Sequence, residues 1–251
     1  NGVKEIILLG QNVNAYNFKN NSLSDLIYSL NEIKDLKRIR YTTSHPIDFT
    51  DELIEAHSKC EKLMPLLHLP VQSGSSKILK KMNRKHSVKE YIKLIEKLKE
   101  KNHSMKFSSD FIIAYPGEKD KDFQDTINFV KKIRFINSYS FVFSPRPGTV
   151  AANLELINKE ESQNRLKIIQ KLLFQYQTNK NKLLEKKIVN VLAENQMKDK
   201  AKLFGRTENM TPVIFDGNIK DIGKIVQVEV KSSSKTSLFG KIKENYNQKV
   251  A

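Results

Sequence analysis

The sequence of 251 residues contains a single cysteine, Cys60, and no tryptophan. One thiol cannot build a disulfide framework, and it cannot supply the several ligands of a zinc or iron–sulfur site. No run of 18 apolar residues exists, which excludes a membrane-spanning helix of the usual kind. The apolar stretch nearest the start is only Ile6–Leu9, so we expect no signal peptide there.

Acidic residues are also few, with 28 Asp and Glu against 44 Lys and Arg, so the formal net charge is +16. This excess has two interpretations: solvated lysine-rich faces, or a polyanionic partner such as nucleic acid. The interleaved Lys and Glu residues of the predicted helices favour the first interpretation in those segments. Hydrophobic residues make up 39% of the sequence, with 13 Phe and 8 Tyr, which is enough for a buried core and argues against a disordered chain.

The first two thirds of the sequence alternates short apolar runs with amphipathic segments. This pattern predicts a parallel sheet with helices outside it, either open or closed into a barrel. The predicted strands are residues 5–9, 38–43, 66–69, 106–114 and 140–143. The predicted helices are residues 22–33, 51–59, 75–82, 88–101, 121–136 and 159–187.

Polar loops follow each predicted strand. In parallel α/β folds, ligands bind at the carboxyl ends of the strands, so we expect these loops to share one rim. They contain Gln11 and Asn12, Thr42–His45, Pro70–Gly74, Pro116–Glu118, and Ser144–Thr149. The rim is the main positional argument for a binding site.

Two of these loops have chemistry of their own. Gln72–Ser76 combines a glycine with hydroxyl groups before a predicted helix, which suits a carboxylate or phosphate ligand but is equally typical of a simple helix cap. Pro145 and Pro147 hold Arg146 in a rigid loop, where it could bind a nucleotide phosphate or cofactor carboxylate, or form an ordinary salt bridge.

The two histidines of the rim, His45 and His68, have the same ambiguity. Each is either a hydrogen-bonded structural residue or a polar contact for a ligand. Neither has a Cys, His or acidic residue at a metal-ligand spacing, so we predict no metal site.

After about Leu184 the pattern changes to short β-segments separated by turns. We interpret this region as a small antiparallel barrel, a fold that often binds oligonucleotides. Its basic residues Lys198, Lys200, Lys202 and Arg206, with Phe204 as a stacking surface, are typical of contacts to single-stranded or loop RNA. The alternative is a solvated edge strand protected by lysines. We place Arg206 in a loop between two strands.

Six segments together resemble one family, the radical S-adenosylmethionine tRNA methylthiotransferases, in their 2-methylthio-N6-dimethylallyladenosine synthase branch. The order of the segments along the chain is that of the family, and they span nearly all of it. They are Gly10–Tyr16, Arg38–Pro46, His68–Ser75, Ser109–Glu118, Pro145–Thr149 and Gly205–Asn209.

The resemblance implies an α/β fold in two parts. Residues 1–183 correspond to a partial (β/α) radical S-adenosylmethionine barrel that lacks its first strand, with a long helix at its end. Residues 184–251 correspond to the TRAM domain, a small OB-like antiparallel β-barrel that binds RNA. The cluster-binding cysteines of the family, including its Cys-x-x-x-Cys-x-x-Cys motif, are not in this sequence, so we expect it to be a C-terminal portion of such an enzyme. Ala114, where the family more often has Gly, and Glu194-Asn195, where Gly often follows the acid, are smaller departures.

By the same resemblance, the intact enzyme adds a methylthio group to carbon 2 of an isopentenylated adenosine next to the anticodon. Its cofactors are S-adenosylmethionine and two 4Fe–4S clusters, whose ligands would lie outside this sequence. The implied partner is a tRNA anticodon stem-loop, and we expect a cytoplasmic monomer. The expected cofactor-binding residues are Gln11, Ser44, Gln72, Ser73, Asp110 and Arg146, and the expected RNA-binding residues are Lys202 and Arg206.

Two alternatives remain at this point. The chain alone could act only as a tRNA-binding fragment, since without cluster cysteines it cannot generate a radical. It could also be a barrel joined to an RNA-binding module with an unrelated role.

Overall fold

The computed structural model describes residues 2–243. Its first part is the expected α/β arrangement, with short parallel strands joined by helices. The strands of this part are β1 (Glu5–Leu8), β2 (Asn17–Phe18), β3 (Asn21–Ser22), β4 (Arg38–Tyr41), β5 (Leu66–His68), β6 (Lys106–Ser108), β7 (Asp110–Ile113) and β8 (Tyr139–Val142). The helices are α1 (Leu23–Asn31), α2 (Asp51–Lys59), α3 (Ser76–Lys81), α4 (Val88–Lys101), α5 (Asp120–Ile133) and α6 (Lys159–Lys182).

The parallel strands form one curved series. Strand β1 pairs with β4, β5 with β6, and β7 with β8, each pair in parallel. Single bridges join the pairs, from Ile39 to Leu63 and from Gln72 to Phe111. The predicted strand at 106–114 is interrupted at Ser109, whose hydroxyl accepts a hydrogen bond from the N–H of Val71 at 2.9 Å. Strands β2 and β3 form a small hairpin inside the loop after β1, which the sequence pattern does not reveal.

Side-chain caps define several helix starts where the sequence predicts them. The hydroxyls of Ser22, Thr50 and Ser87 accept hydrogen bonds from backbone N–H groups in the first turns of α1, α2 and α4. Helix α6 ends at Lys182 rather than at 187, because Lys186 takes a left-handed backbone conformation with φ 63° and its N–H bonds to the carbonyl of Val230.

A cluster of aromatic side chains fills the core between sheet and helices. Phe111 and Phe135 meet edge to face with ring centroids 5.4 Å apart, and Tyr91 lies 5.5 Å from Phe129. The Tyr91 hydroxyl donates to the carbonyl of Leu69 at 2.8 Å, so its one polar atom is satisfied inside the core.

The remainder of the described chain forms a closed barrel of five strands. They are β9 (Ile188–Gln196), β10 (Lys202–Thr207), β11 (Pro212–Asp216), β12 (Ile225–Ser233) and β13 (Leu238–Ile242), in the order β10-β11-β13-β12-β9. The pairs are antiparallel as expected, except that β11 and β13 are parallel. Gly205 allows the backbones of β9 and β10 to approach, because a Cβ there would lie 2.2 Å from the carbonyl oxygen of Leu192.

The small barrel has a hydrophobic core of its own. Val191, Leu203, Val213, Phe215 and Leu238 are among its buried members. Across residues 2–243, the structure has no helix with the length and apolar character needed to cross a membrane.

Candidate functional site

The loops that follow β1 and β4 lie at the carboxyl ends of these two parallel strands and contact each other. The N–H of Val13, after β1, donates to the carbonyl of Thr43, after β4, at 3.2 Å. Asn14 holds the same two loops together, because its amide donates to the carbonyl of His45 and accepts from the N–H of His45 at 2.9 and 2.8 Å. The first two loops of the expected rim are therefore joined by both backbone and side-chain bonds.

Two of the predicted residues, Gln11 and Ser44, lie on these joined loops. Gln11 is exposed, whereas Ser44 is buried. The Ser44 hydroxyl has no hydrogen-bond partner within the described residues. A buried hydroxyl without a hydrogen-bond partner is costly, so a ligand or a water molecule bonded to the Ser44 hydroxyl would stabilise this loop.

Gln72 and Ser73 follow β5 and differ in what they can offer. Gln72 adopts a left-handed φ of 77°, and its backbone bonds to the strand at both Asp110 and Ile112. Ser73 is buried, and its hydroxyl contacts the Thr126 hydroxyl at 3.4 Å and accepts from the N–H of Ser75 at 3.2 Å. Ser73 thus has partners inside the protein and shapes the loop, while Gln72 is partly exposed at the rim.

Asp110, at the start of β7, lies beside a histidine. Its carboxylate is 3.5 Å from Nε2 of His68, and Nδ1 of His68 is 2.7 Å from the Ser108 hydroxyl. The carboxylate and the hydroxyl hold the ring from both nitrogens, so His68 has a defined orientation. Nothing in the sequence links these three residues to one another. The pairing of β5 with β6 brings them together.

Arg146 is exposed on the loop after β8. In the described range its guanidinium forms no salt bridge, so the ordinary ion-pair interpretation gains no support. The start of its loop packs against the turn after β7, because the rings of Phe143 and Tyr115 meet edge to face with centroids 4.9 Å apart.

Glu118 is a residue whose role the sequence reasoning missed. Burial raises the pKa of its carboxyl group, and the neighbouring Arg165 acts in the opposite direction. One carboxylate oxygen accepts from Nη1 of Arg165 at 2.8 Å and from the N–H of Ala114 at 3.1 Å. Ala114 has φ 59°, a backbone conformation that glycine adopts more readily than alanine. Glu118 therefore fixes the turn after β7 to helix α6.

His86 is a second residue that the sequence did not single out. It is buried against His45, with ring centroids 5.4 Å apart, and neither ring nitrogen has a hydrogen-bond partner in the described part of the chain. Burial, with smaller effects from His45 and Arg84, lowers the pKa of His86 to about 4, so the ring is neutral at pH 7.

A cavity of about 880 Å³ lies inside the curved sheet. Helix α6 forms one wall with Leu173 and Phe174, and the strands contribute His68 and Ser140. The small barrel lies at the opposite end from the rim, since Asn137, just before β8, donates to the carbonyl of Asn209 at 3.0 Å. Residues of both parts therefore line one space, including Ile7, Arg40, Leu66, Ser108, Tyr139, Arg206, Met210, Pro212 and Thr236.

The two predicted RNA-binding residues lie in different places. Arg206 is within strand β10 rather than in a loop, because the ladder with β9 continues to Thr207. Its guanidinium pairs with Glu194, lies 5.0 Å from the centre of the Phe204 ring, and faces the cavity. Lys202, at the start of β10, lies 4.0 Å from Asp199 and borders a separate hollow of about 220 Å³ that Lys231, Phe239 and Lys241 also line.

The described residues provide no constellation for an iron–sulfur cluster. Residues 2–243 contain no group of three or more His, Cys, Asp or Glu side chains placed to hold a metal ion. Cys60 is buried at the end of α2, and burial raises the pKa of its thiol. A buried, protonated thiol is a poor metal ligand, so Cys60 is a core residue.

A family model for the Radical SAM superfamily matches residues 1–130, which is more than half of the chain. The chain belongs to the radical SAM superfamily. A model for the TRAM domain matches residues 182–243, which covers the small barrel. The fold class expected from the sequence is thereby confirmed.

Several curated relatives of this radical SAM chain share one name. A tRNA-2-methylthio-N(6)-dimethylallyladenosine synthase of Pelagibacter ubique is 61% identical over 100% of the chain and 57% of its own length. Enzymes of that name from Orientia tsutsugamushi and Buchnera aphidicola are 46% and 45% identical, over 96% and 97% of the chain and 55% and 58% of their own lengths. The radical SAM chain thus spans a little more than half the length of these relatives.

Proposed function

We propose that this chain forms the barrel and RNA-binding parts of a tRNA methylthiotransferase, which adds a methylthio group to carbon 2 of an isopentenylated adenosine beside the anticodon. The names of the relatives and their identity along the whole chain support this assignment. One structural observation carries it further: a single cavity is lined both by the barrel strands and by Arg206 of the TRAM domain. A nucleotide in contact with Arg206 would therefore border the same cavity as the barrel strands.

The residues of the rim fit S-adenosylmethionine, the cofactor that the superfamily uses. The unpartnered hydroxyl of buried Ser44 is a free donor and acceptor, and the carboxylate of Asp110 suits a cationic group. We propose that Gln11, Ser44, Gln72 and Asp110 bind the cofactor, that Ser73 shapes their loop, and that Arg146 contacts the cofactor or the target nucleotide. When bound, this cofactor supplies hydrogen abstraction and the methyl group.

The remaining tasks fall to the chain itself. The apolar side chains that line the cavity offer a packing surface to the target base, which must leave its stack to enter. We propose that Arg206, which lines the cavity, and Lys202, which borders the separate hollow on the TRAM domain, contact phosphates of the anticodon stem-loop. The described residues do not fit either of the two 4Fe–4S clusters.

A second candidate function is tRNA binding without catalysis. The lack of a metal-binding constellation in residues 2–243 favours it for the chain acting alone. Both candidates require RNA binding, and they differ in whether the radical chemistry occurs.

Binding of a tRNA anticodon stem-loop, measured by fluorescence anisotropy from 50 to 200 mM salt, tests the proposal. We expect affinity to fall steeply with salt, and Arg206→Ala to lower both the affinity and the salt slope, the slope by about 1. Lys93→Ala, on the exposed face of α4, is the matched control and should bind as the unsubstituted chain does. Equal affinity for the stem-loop and for heparin, or no binding at low salt, would contradict the proposal.

A further inference from the structure

Two arginines of the barrel are buried where the TRAM domain meets it. Arg38 and Arg40 stand two residues apart on β4, so their side chains leave the strand on the same side. Both are almost fully buried, at 1% and 6% exposure. A buried guanidinium is stable only when its N–H groups are satisfied and its charge is balanced, so their partners matter.

The partners of Arg38 are on the TRAM domain. Its Nη1 donates to the carbonyl of Arg206 at 2.9 Å, and its Nη2 donates to the carbonyl of Asn190 at 3.0 Å. The two acceptors lie on the neighbouring strands β10 and β9. One planar guanidinium therefore joins both strands to the barrel.

Arg40 continues the same contact. Its Nη1 and Nη2 donate to the carbonyls of Glu208 and Thr207 at 2.7 and 3.2 Å. The two charges are offset in part by one carboxylate of the barrel, because Glu5 lies 3.1 Å from Nε of Arg40 and 3.7 Å from Nη1 of Arg38, and Glu194 and Glu208 of the TRAM domain act in the same direction. All the TRAM acceptors are backbone groups, so the contact sets the position of the backbone itself.

The bonded segment also presents the guanidinium of Arg206, paired with Glu194, to the cavity. The backbone carbonyl of Arg206 accepts from Arg38, while the side chain of the same residue lines the cavity. A shift of β10 away from the barrel would carry the guanidinium of Arg206 with it. We propose that Arg38 and Arg40 are positioning residues that hold Arg206 at the cavity, where it receives an RNA phosphate.

This inference rests on the proposed function, because it needs RNA as the ligand. A double-mutant cycle on the whole chain tests it. Lysine keeps the charge but cannot bridge two carbonyls with a planar fork, so Arg38→Lys together with Arg40→Lys releases the contact. We expect affinity for the anticodon stem-loop to fall about tenfold, since the barrel and the TRAM domain no longer present their contacts as one unit.

The cycle adds Arg206→Ala to both backgrounds. If the two arginines act through Arg206, removing its side chain lowers the affinity and salt slope of the unsubstituted chain but changes little in the double-lysine variant. Fully additive effects would overturn the inference. Arg165→Lys is the matched control, because Arg165 is equally buried but bonds to Glu118 and Asp120 within the barrel part. It should leave the effect of Arg206→Ala intact.

Hydrogen exchange separates this inference from the proposed function. Release of the contact should speed exchange of the amides at 207–211, the turn whose carbonyls Arg40 holds, while the core strands of the TRAM domain keep their protection. If the unsubstituted chain binds no RNA, the proposed function fails, and the phosphate role of Arg206 fails with it. If RNA binds but exchange and the cycle are unaffected by the double substitution, only the positioning inference is overturned.

Discussion

The backbone N–H of Ala114 donates to a carboxylate oxygen of Glu118 at 3.1 Å, across a turn in which Ala114 has φ 59°. The same carboxylate oxygen also accepts from Arg165 of helix α6. The buried ion pair therefore holds a non-glycine residue in a conformation that it would not choose by itself.

Substituting glycine at this turn should stabilise the protein. A left-handed conformation costs alanine roughly 1–2 kcal/mol, and glycine avoids this cost. Glycine also loses more backbone entropy on folding, which cancels about half of the gain. We therefore expect Ala114→Gly to raise the free energy of unfolding by about 0.5–1 kcal/mol. Urea denaturation measures the change. Ala193→Gly is the control, because Ala193 is buried in strand β9 and the same exchange there should destabilise. A loss of stability in Ala114→Gly would contradict the strain argument.

Gly74 should tolerate no side chain. A Cβ at this position would lie 2.5 Å from the Cα of Thr126 and 2.8 Å from the Cβ of Phe129, so α5 must move to admit it. We expect Gly74→Ala to lower the free energy of unfolding by about 1–3 kcal/mol. Gly10→Ala serves as comparison, since its nearest atom would be 3.5 Å away. Equal free energies of unfolding for the two variants would show that the loop after β5 can accommodate a Cβ at residue 74, which would contradict this prediction.

His57 should make stability depend on pH. Burial lowers the pKa of His57 to about 4 from an ordinary 6.5, and its Nε2 lies 2.6 Å from the Tyr41 hydroxyl. Between these values the unfolded chain binds a proton that the folded chain does not, so the free energy of unfolding falls as the pH drops from 6.5 to 4. The contribution of this one ring is about 3 kcal/mol at most.

The variant His57→Gln isolates that contribution. Its unfolding free energy, measured by urea denaturation at a series of pH values, should decline less steeply over this interval than that of the unsubstituted chain. His86, whose pKa burial also lowers to about 4, remains in both proteins and accounts for part of the residual slope. Parallel pH profiles for the two proteins would mean that His57 titrates normally in the folded state.

Reconstitution with iron and sulfide should leave the chain without a cluster. The one cysteine is a buried core residue, and the described residues offer no other constellation of metal ligands. We expect no visible absorbance of the iron–sulfur type after desalting. A stoichiometric four-iron cluster would contradict this assignment and would identify ligands that the fold does not place together.

Local signals predicted most elements of the fold. Helices α1, α2 and α4 begin within one residue of the predicted starts, because their caps at Ser22, Thr50 and Ser87 are short-range interactions between a hydroxyl and the first-turn amides. The break at Ser109 and the early end of α6 at Lys182 were not predicted, since both depend on bonds to distant segments. The parallel pairing of β11 with β13 also depends on barrel closure, which no local pattern encodes.

The site was predictable in outline only. Parallel strands place their following loops at one end, so the rim follows from topology. The partners of individual side chains do not: Arg38 and Arg40 read as polar residues within a strand, and only the docked TRAM domain shows why they are buried. Arg206 likewise lies on a strand because the β9 ladder extends further than its local sequence suggests. The cofactor and RNA roles of the rim and TRAM residues stay predictions.

Because β13 lies between β11 and β12, the small barrel cannot close during synthesis until β13 has been translated. Strand β11 leaves the exit tunnel well before the strand that must sit beside it. Until residues 238–242 emerge, the nascent TRAM segment has two open edges that can capture a neighbouring chain. The α/β part is translated first and can fold in the meantime. Arg38 and Arg40 can then bind the backbone carbonyls of β9 and β10 as these strands form.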